Sequence, residues 1–222
     1  MNVYAIWQQF IEGMRQTTLL EYIAVFSGIV SVWLQRIENI WVFPIGLINT
    51  IIYIWISIKG NLFGETSVNF YYTVMSIYGW ILWTKKDAQQ HHIVNIEFSN
   101  AKQWMQQLLF LAFFYVIIFF VLTYLKRSFA PNAIPWADAF ASATAYTGMW
   151  LMAKKKVESW YWWIATNIAS IPLYFVKGYV FTSVYYLILL IMAFFGLVEW
   201  MRRARKRPQI MDDSPRIVMH TQ

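Results

Sequence analysis

Residues 78–86 read Tyr-Gly-Trp-Ile-Leu-Trp-Thr-Lys-Lys, and residues 195–203 read Phe-Gly-Leu-Val-Glu-Trp-Met-Arg-Arg. Both stretches open on an aromatic residue and glycine, place tryptophan sixth and end on two cations, and they stand 117 residues apart. Upstream, Glu21 and Trp33 recur at the same offset as Asp138 and Trp150, while Asn49, Lys59 and Gly60 recur one residue later as Asn167, Lys177 and Gly178. Matches that keep their order along a whole unit mark a duplication with small insertions. A parallel duplication inside a membrane protein is a recurrent way to build a transporter, because the two halves enclose a site and rock about it.

Composition places the chain in a membrane. It is 59% apolar, 20% aromatic and only 13% charged, with a mean hydropathy of +0.43, far from the usage of soluble domains. Charge-free stretches run over 22–35, 39–58, 66–84, 103–125, 139–153, 159–176 and 178–198. Most approach the ~20 residues that an apolar helix needs to cross the hydrocarbon core. The two short ones gain length from Thr18 to Glu21 and from Trp136 to Asp138. The expected fold is therefore all-α and integral to the membrane, with seven transmembrane helices.

A three-helix unit has its ends on opposite faces, so a direct copy joined by a short loop would insert upside down. The crossing over Gln103 to Leu125 restores the orientation, and its plain Leu and Phe content suits a linker. The expected organisation is a 3+1+3 parallel repeat: an amphipathic amino-terminal helix over 1–17, a first unit over 18–86, a loop and linker helix over 87–127, a second unit over 128–203, and a polar tail over 204–222 that frays beyond Pro208. The amino-terminal segment puts Val3, Trp7, Phe10, Ile11 and Met14 on one helical face and reads as an interfacial helix. No basic region precedes an apolar core there, which argues against a cleaved signal peptide.

Counting Lys and Arg on alternate sides of seven spans gives five on the amino-terminal side and thirteen on the other. Positive charge collects in the cytoplasm, so the amino terminus is expected outside and the carboxyl terminus inside. The basic tail orients helices or meets anionic lipid rather than nucleic acid. With no cysteine in the chain, disulfides and thiolate metal sites are excluded. Asp87, His91 and His92 supply too few ligands for a metal and read as a solvated loop. No nucleophile with its base, phosphate-cradling glycine loop or paired carboxylate site is present, so neither an enzyme nor a cofactor is expected.

No charged side chain lies mid-span, which weighs against a buried proton or sodium relay. The densest polar constellation is in the sixth crossing, where Trp160, Trp163, Asn167 and Tyr174 fall on one helix face with Thr166 and Ser170 beside it. An aromatic wall bearing an amide suits a flat, polar, cationic ring. The bland reading gives Trp160 to an interfacial belt and Asn167 to helix packing. In the second crossing Pro44, Gly46 and Asn49 lie close together with Tyr53 one turn on. Pro44 and Pro172 are expected to break corresponding helices at the binding and gating region.

Gly46-Leu47-Ile48-Asn49, Ile77-Tyr78-Gly79-Trp80-x-x-Trp83 and Lys155-x-Val157-Glu158-x-Trp160-x-x-Trp163-x-x-x-Asn167 together resemble the bacterial nicotinamide riboside transporters of the PnuC family, over residues 18 to 203. The resemblance implies a fold like that of the SWEET sugar transporters, a homotrimer, and facilitated diffusion of nicotinamide riboside through the bacterial inner membrane. It also implies substrate contacts from Trp160, Trp163 and Asn167, to which we add Asn49, Tyr53, Tyr78 and Tyr174. Relatives of this architecture are associated with thiamine or riboflavin, and a seven-helix receptor or sensor is the alternative of another class.

Overall fold

A computed structural model describes residues 3–59, 63–88, 90–126 and 133–212. Among them are eight α-helices and no strand beyond two isolated bridges: α1 Val3–Gln16, α2 Leu19–Arg36, α3 Val42–Lys59, α4 Phe63–Thr84, α5 Ala101–Leu125, α6 Pro135–Ala153, α7 Ser159–Val176 and α8 Val180–Asp212. Local chemistry sets the starts. Thr18 and Glu21 form a capping box on α2, and Asn100 and Gln103 form another on α5; each satisfies amides that a helix end leaves unpaired. Pro135 opens α6, where its missing N–H costs nothing. The amphipathic face of α1 lies on α8, through Phe10 and Phe181 at 5.9 Å.

Six helices form a closed ring in the order α2, α3, α4, α6, α7, α8 and back to α2. Helix α5 stands outside it against α6, with Phe110 stacked on Trp150 at 4.8 Å. Contact with α4, α5 and α7 buries α6 along most of its length. By length and apolarity, α2, α3, α5 and α8 are the helices among the described residues that suffice to cross a membrane. The remaining ring helices, α4, α6 and α7, each carry Thr, Ser and Tyr residues.

Residues separated by 117 make matching contacts at one end of the ring. Phe43 meets Trp83 edge-on at 5.0 Å, and Trp160 meets Trp200 edge-on at 5.6 Å. Phe43 lies over Gly79 and Trp160 over Gly196, each so close that a Cβ on either glycine would collide with the ring. The Trp83 indole donates to the Ala153 carbonyl at 3.1 Å, and the Trp200 indole donates to the carbonyls of Gln35 at 3.1 Å and Arg36 at 3.2 Å. All four large rings are at most 3% exposed.

Three expectations are revised. Pro44 lies in the first turn of α3, where no hydrogen bond is lost, so it does not interrupt that helix; Pro172 does lie inside α7. The 87–102 loop is only partly solvated. Ile96 is 5% exposed in the core, Val157 N–H donates to the Glu97 carbonyl, and Glu97 N–H donates to that of Lys155, so the loop is strapped across the α6–α7 turn. Helix α8 continues through Pro208 to Asp212 rather than fraying there; the rest of the tail, 213–222, lies outside the described residues.

Candidate substrate-binding site

Helix α7 presents the sequence motif to the ring. Trp163 is half-buried against Gly148 and Tyr72, with the Tyr72 ring at 6.0 Å. Its indole N–H is buried without a hydrogen-bond partner among the described residues. Asn167, one turn further on, is 4% exposed. A donor kept from water and left unpaired, as the Trp163 N–H is, costs about 1–3 kcal/mol. With the Asn167 amide a turn away on the same helix, this is a place for a ligand with matching acceptors and donors.

Beyond Asn167 the interior is tyrosine-lined. Tyr174 stacks on Tyr186 at 5.1 Å, and Tyr185 and Tyr186 lie 5.8 Å apart. The Tyr186 hydroxyl interacts with those of Tyr174 and Ser170. Tyr53 on α3 is within electrostatic reach of Tyr185 and Tyr186, and Tyr72 on α4 reaches the same pair. The Tyr185 hydroxyl and the Asn49 amide both crowd Gly28 on α2. Thus α2, α3, α4, α7 and α8 converge on one aromatic and hydroxyl-rich space.

The structure brings Asn49, Tyr53, Tyr174, Trp163 and Asn167 to this space. It places Trp160 beneath it, in the packed layer with Trp200 and Gly196, 1% exposed and with its indole N–H unpartnered. Tyr78 is not brought there: it is 42% exposed on the outer face of α4. Sequence reasoning missed Tyr72, Tyr185 and Tyr186. The available signal was two tyrosine pairs, Tyr71-Tyr72 and Tyr185-Tyr186, in the middle of otherwise apolar crossings. It also missed Gln107, a fully buried residue of α5 that donates to Ser99 Oγ at 2.8 Å and accepts from the Trp162 indole at 3.0 Å.

At one mouth of this space Lys177 Nζ bonds Asp138 Oδ1 at 2.6 Å and lies 5.8 Å over the Tyr174 ring. Glu65 stands near both charges and within reach of Tyr174 and Tyr186. No group of three or more metal-ligating side chains occurs among the described residues.

Residues 18–202 match the nicotinamide mononucleotide transporter family. The chain belongs to that family. Within it, the nicotinamide riboside transporter PnuC of Escherichia coli is 24% identical, the alignment covering 88% of this chain and 90% of the relative. The riboflavin/roseoflavin transporter RibM of Streptomyces davaonensis is 23% identical over 85% of this chain and 87% of its own. The crystal structure of a vitamin B3 transporter PnuC superposes with a TM-score of 0.65 at 20% identity, covering 90% of this chain and 88% of that one. The two share an all-helical fold.

Proposed function

We propose that the protein carries nicotinamide riboside across the bacterial inner membrane by facilitated diffusion, doing no chemistry on it. The observation that carries this reading is the Trp163 indole N–H on α7, buried without a partner among the described residues one turn from the Asn167 amide. The nicotinamide carboxamide offers an acceptor and two donors to them, the pyridinium suits an indole face, and the ribose hydroxyls suit the tyrosines. Trp160 would close the floor beneath Trp163. The similarity to the PnuC of Escherichia coli points to the same substrate.

The reading includes seven transmembrane helices in a 3+1+3 parallel repeat, with α2–α4 and α6–α8 as the units and α5 as linker. It is supported by the contacts that recur at an offset of 117 and by the position of α5 outside the ring. The charge asymmetry supports an amino terminus outside and a carboxyl terminus in the cytoplasm. The family resemblance supports a homotrimer, and the mass of the solubilised particle tests it. The similarity to a riboflavin/roseoflavin transporter sustains one other substrate reading. Calorimetry of the purified protein against nicotinamide riboside, thiamine and riboflavin decides among them: only the riboside should bind tightly, and preferential riboflavin binding would replace the assignment.

A further inference from the structure

The carboxyl-terminal ends of α2 and α6 are built alike. Glu38 N–H donates to the Gln35 carbonyl and Asn39 N–H to that of Leu34, just as Lys155 N–H donates to Met152 and Lys156 N–H to Leu151. Such a closure needs one left-handed residue, and Glu38 (φ 62°) and Lys155 (φ 52°) supply it. Glycine is the usual occupant, because a Cβ is penalised there. Here two charged side chains hold the positions instead, and they meet: Lys155 Nζ lies 2.6 Å from Glu38 Oε1, although the Lys155 side chain is only 6% exposed. The two residues are 117 apart in sequence, so the same position in each half contributes one partner.

Neighbouring contacts reinforce this layer. Arg203 Nη1 adds a second cation to Glu38 at 3.3 Å, and Lys155 Nζ also lies 4.5 Å over the Trp83 ring. The indoles of Trp83 and Trp200 each donate into the opposite half, to Ala153 and to Gln35 and Arg36. Among the described residues, the ion pairs that join the α2–α4 half to the α6–α8 half are the two made by Glu38. At the other end the Lys177–Asp138 pair stays within one half.

We propose that Glu38 and Lys155 form a charge lock that holds the cytoplasmic side of the ring shut and must part before a solute leaves on that side. The lock rests on the transporter reading and its orientation. Side chains held in a penalised backbone conformation are characteristic of switch regions, and an ion pair shielded from water is a contact whose loss shifts a two-state equilibrium strongly.

A single cysteine at Ser170, introduced into the otherwise cysteine-free chain, reports access to the interior through its reaction with a membrane-impermeant maleimide. Labelling is compared in right-side-out and inside-out vesicles. Glu38→Gly and Lys155→Gly keep the left-handed turn comfortable while removing the pair, so both should fold. Each should raise the labelling rate from the cytoplasmic side by about tenfold or more. The double variant Glu38→Lys with Lys155→Glu should return toward the parent rate, because Lys86, which lines one cavity with Lys155 and Glu38, stands 117 residues before Arg203 and can take its part. Unchanged cytoplasmic labelling in the glycine variants would overturn the lock, as would a folded double variant as open as the single ones. Loss of folding in both glycine variants would overturn it too, by making the pair a stability element. Labelling needs no substrate, so a failure of nicotinamide riboside to bind would remove the substrate assignment and leave this test intact.

Discussion

Asn49 Nδ2 donates to the Ala24 carbonyl at 2.6 Å and so ties α3 to α2 beside Gly28. Asn167, 118 residues later in the sequence, is 4% exposed on α7, one turn from the unpartnered Trp163 N–H.

The two asparagines should separate in mutagenesis. Asn49→Leu removes the bond from α3 to the Ala24 carbonyl, which keeps the Ser27 hydroxyl as a donor, and should lower stability by ~0.5–1.5 kcal/mol, the usual worth of a hydrogen bond between membrane helices. Asn167→Leu should leave the melting temperature near that of the parent and weaken riboside binding by about tenfold to a hundredfold, equivalent to ~1–3 kcal/mol. Melting curves and calorimetry on both variants check this, and equal losses of affinity would show that both amides touch the ligand.

Trp160 and Phe43 fill the same role in the two halves, which fixes what substitution at position 160 should do. Trp160→Phe makes the second half resemble the first and should be tolerated, while Trp160→Ala opens a hole beside Trp200 worth ~3–5 kcal/mol. Gly196→Ala drives a methyl into the Trp160 ring and should cost ~1–3 kcal/mol. Chemical denaturation in detergent measures all three; a stable Gly196→Ala protein would show that this layer repacks freely.

Much of this architecture was legible because a duplication prints its own symmetry in the sequence. Glu21, Trp33, Asn49 and the 78–86 stretch announced their counterparts, and a helix, α2 through α8, stands at each stretch read as a crossing. The site was legible only where a motif stood out from an apolar background, as for Trp163 and Asn167. Tyr78 shares a motif with Gly79, but α4 turns the glycine toward Phe43 and the tyrosine outward, a direction that spacing within one helix does not fix. Trp160 and Trp163 share a helix face in projection, yet one packs on Gly196 and the other on Gly148. That depends on which neighbour supplies the gap. The Glu38–Lys155 contact was invisible because left-handed closures carry no marker when the residue is not glycine.

Topology is testable from the thirteen-to-five charge asymmetry. Cysteines placed singly at Lys59 and Gln90 should react with an impermeant reagent from opposite sides, position 59 from outside. Equal labelling from one side would reject the assigned orientation.

Uptake should need no ion gradient. The carboxylates of α2, α4 and α6 sit in first turns, at Glu21, Glu65 and Asp138, and no carboxylate lies mid-helix in α2 through α7 to relay a proton or hold sodium. Proteoliposomes should equilibrate the riboside across the bilayer with neither gradient imposed. Accumulation above the external concentration that collapses with an ionophore would contradict facilitated diffusion.

The last expectation concerns what the Trp163 face recognises. If its indole holds a pyridinium ring, the cationic riboside should bind more tightly than its reduced, uncharged dihydro form, since the ring's electron-rich face attracts a cation by about 1 kcal/mol once partly desolvated. Trp163→Leu should shrink that preference while leaving the tyrosine contacts to the ribose in place, so the residual affinity becomes similar for both forms. Tyr72, tilted against Trp163 at 6.0 Å, supports the indole from α4, and Tyr72→Leu should lower affinity for both forms alike. Thiamine also carries a cationic ring, so competition between it and the riboside accompanies the comparison. Equal binding of charged and reduced riboside, unaffected by the change at Trp163, would remove cation recognition and leave hydrogen bonding by Asn167 as the source of selectivity.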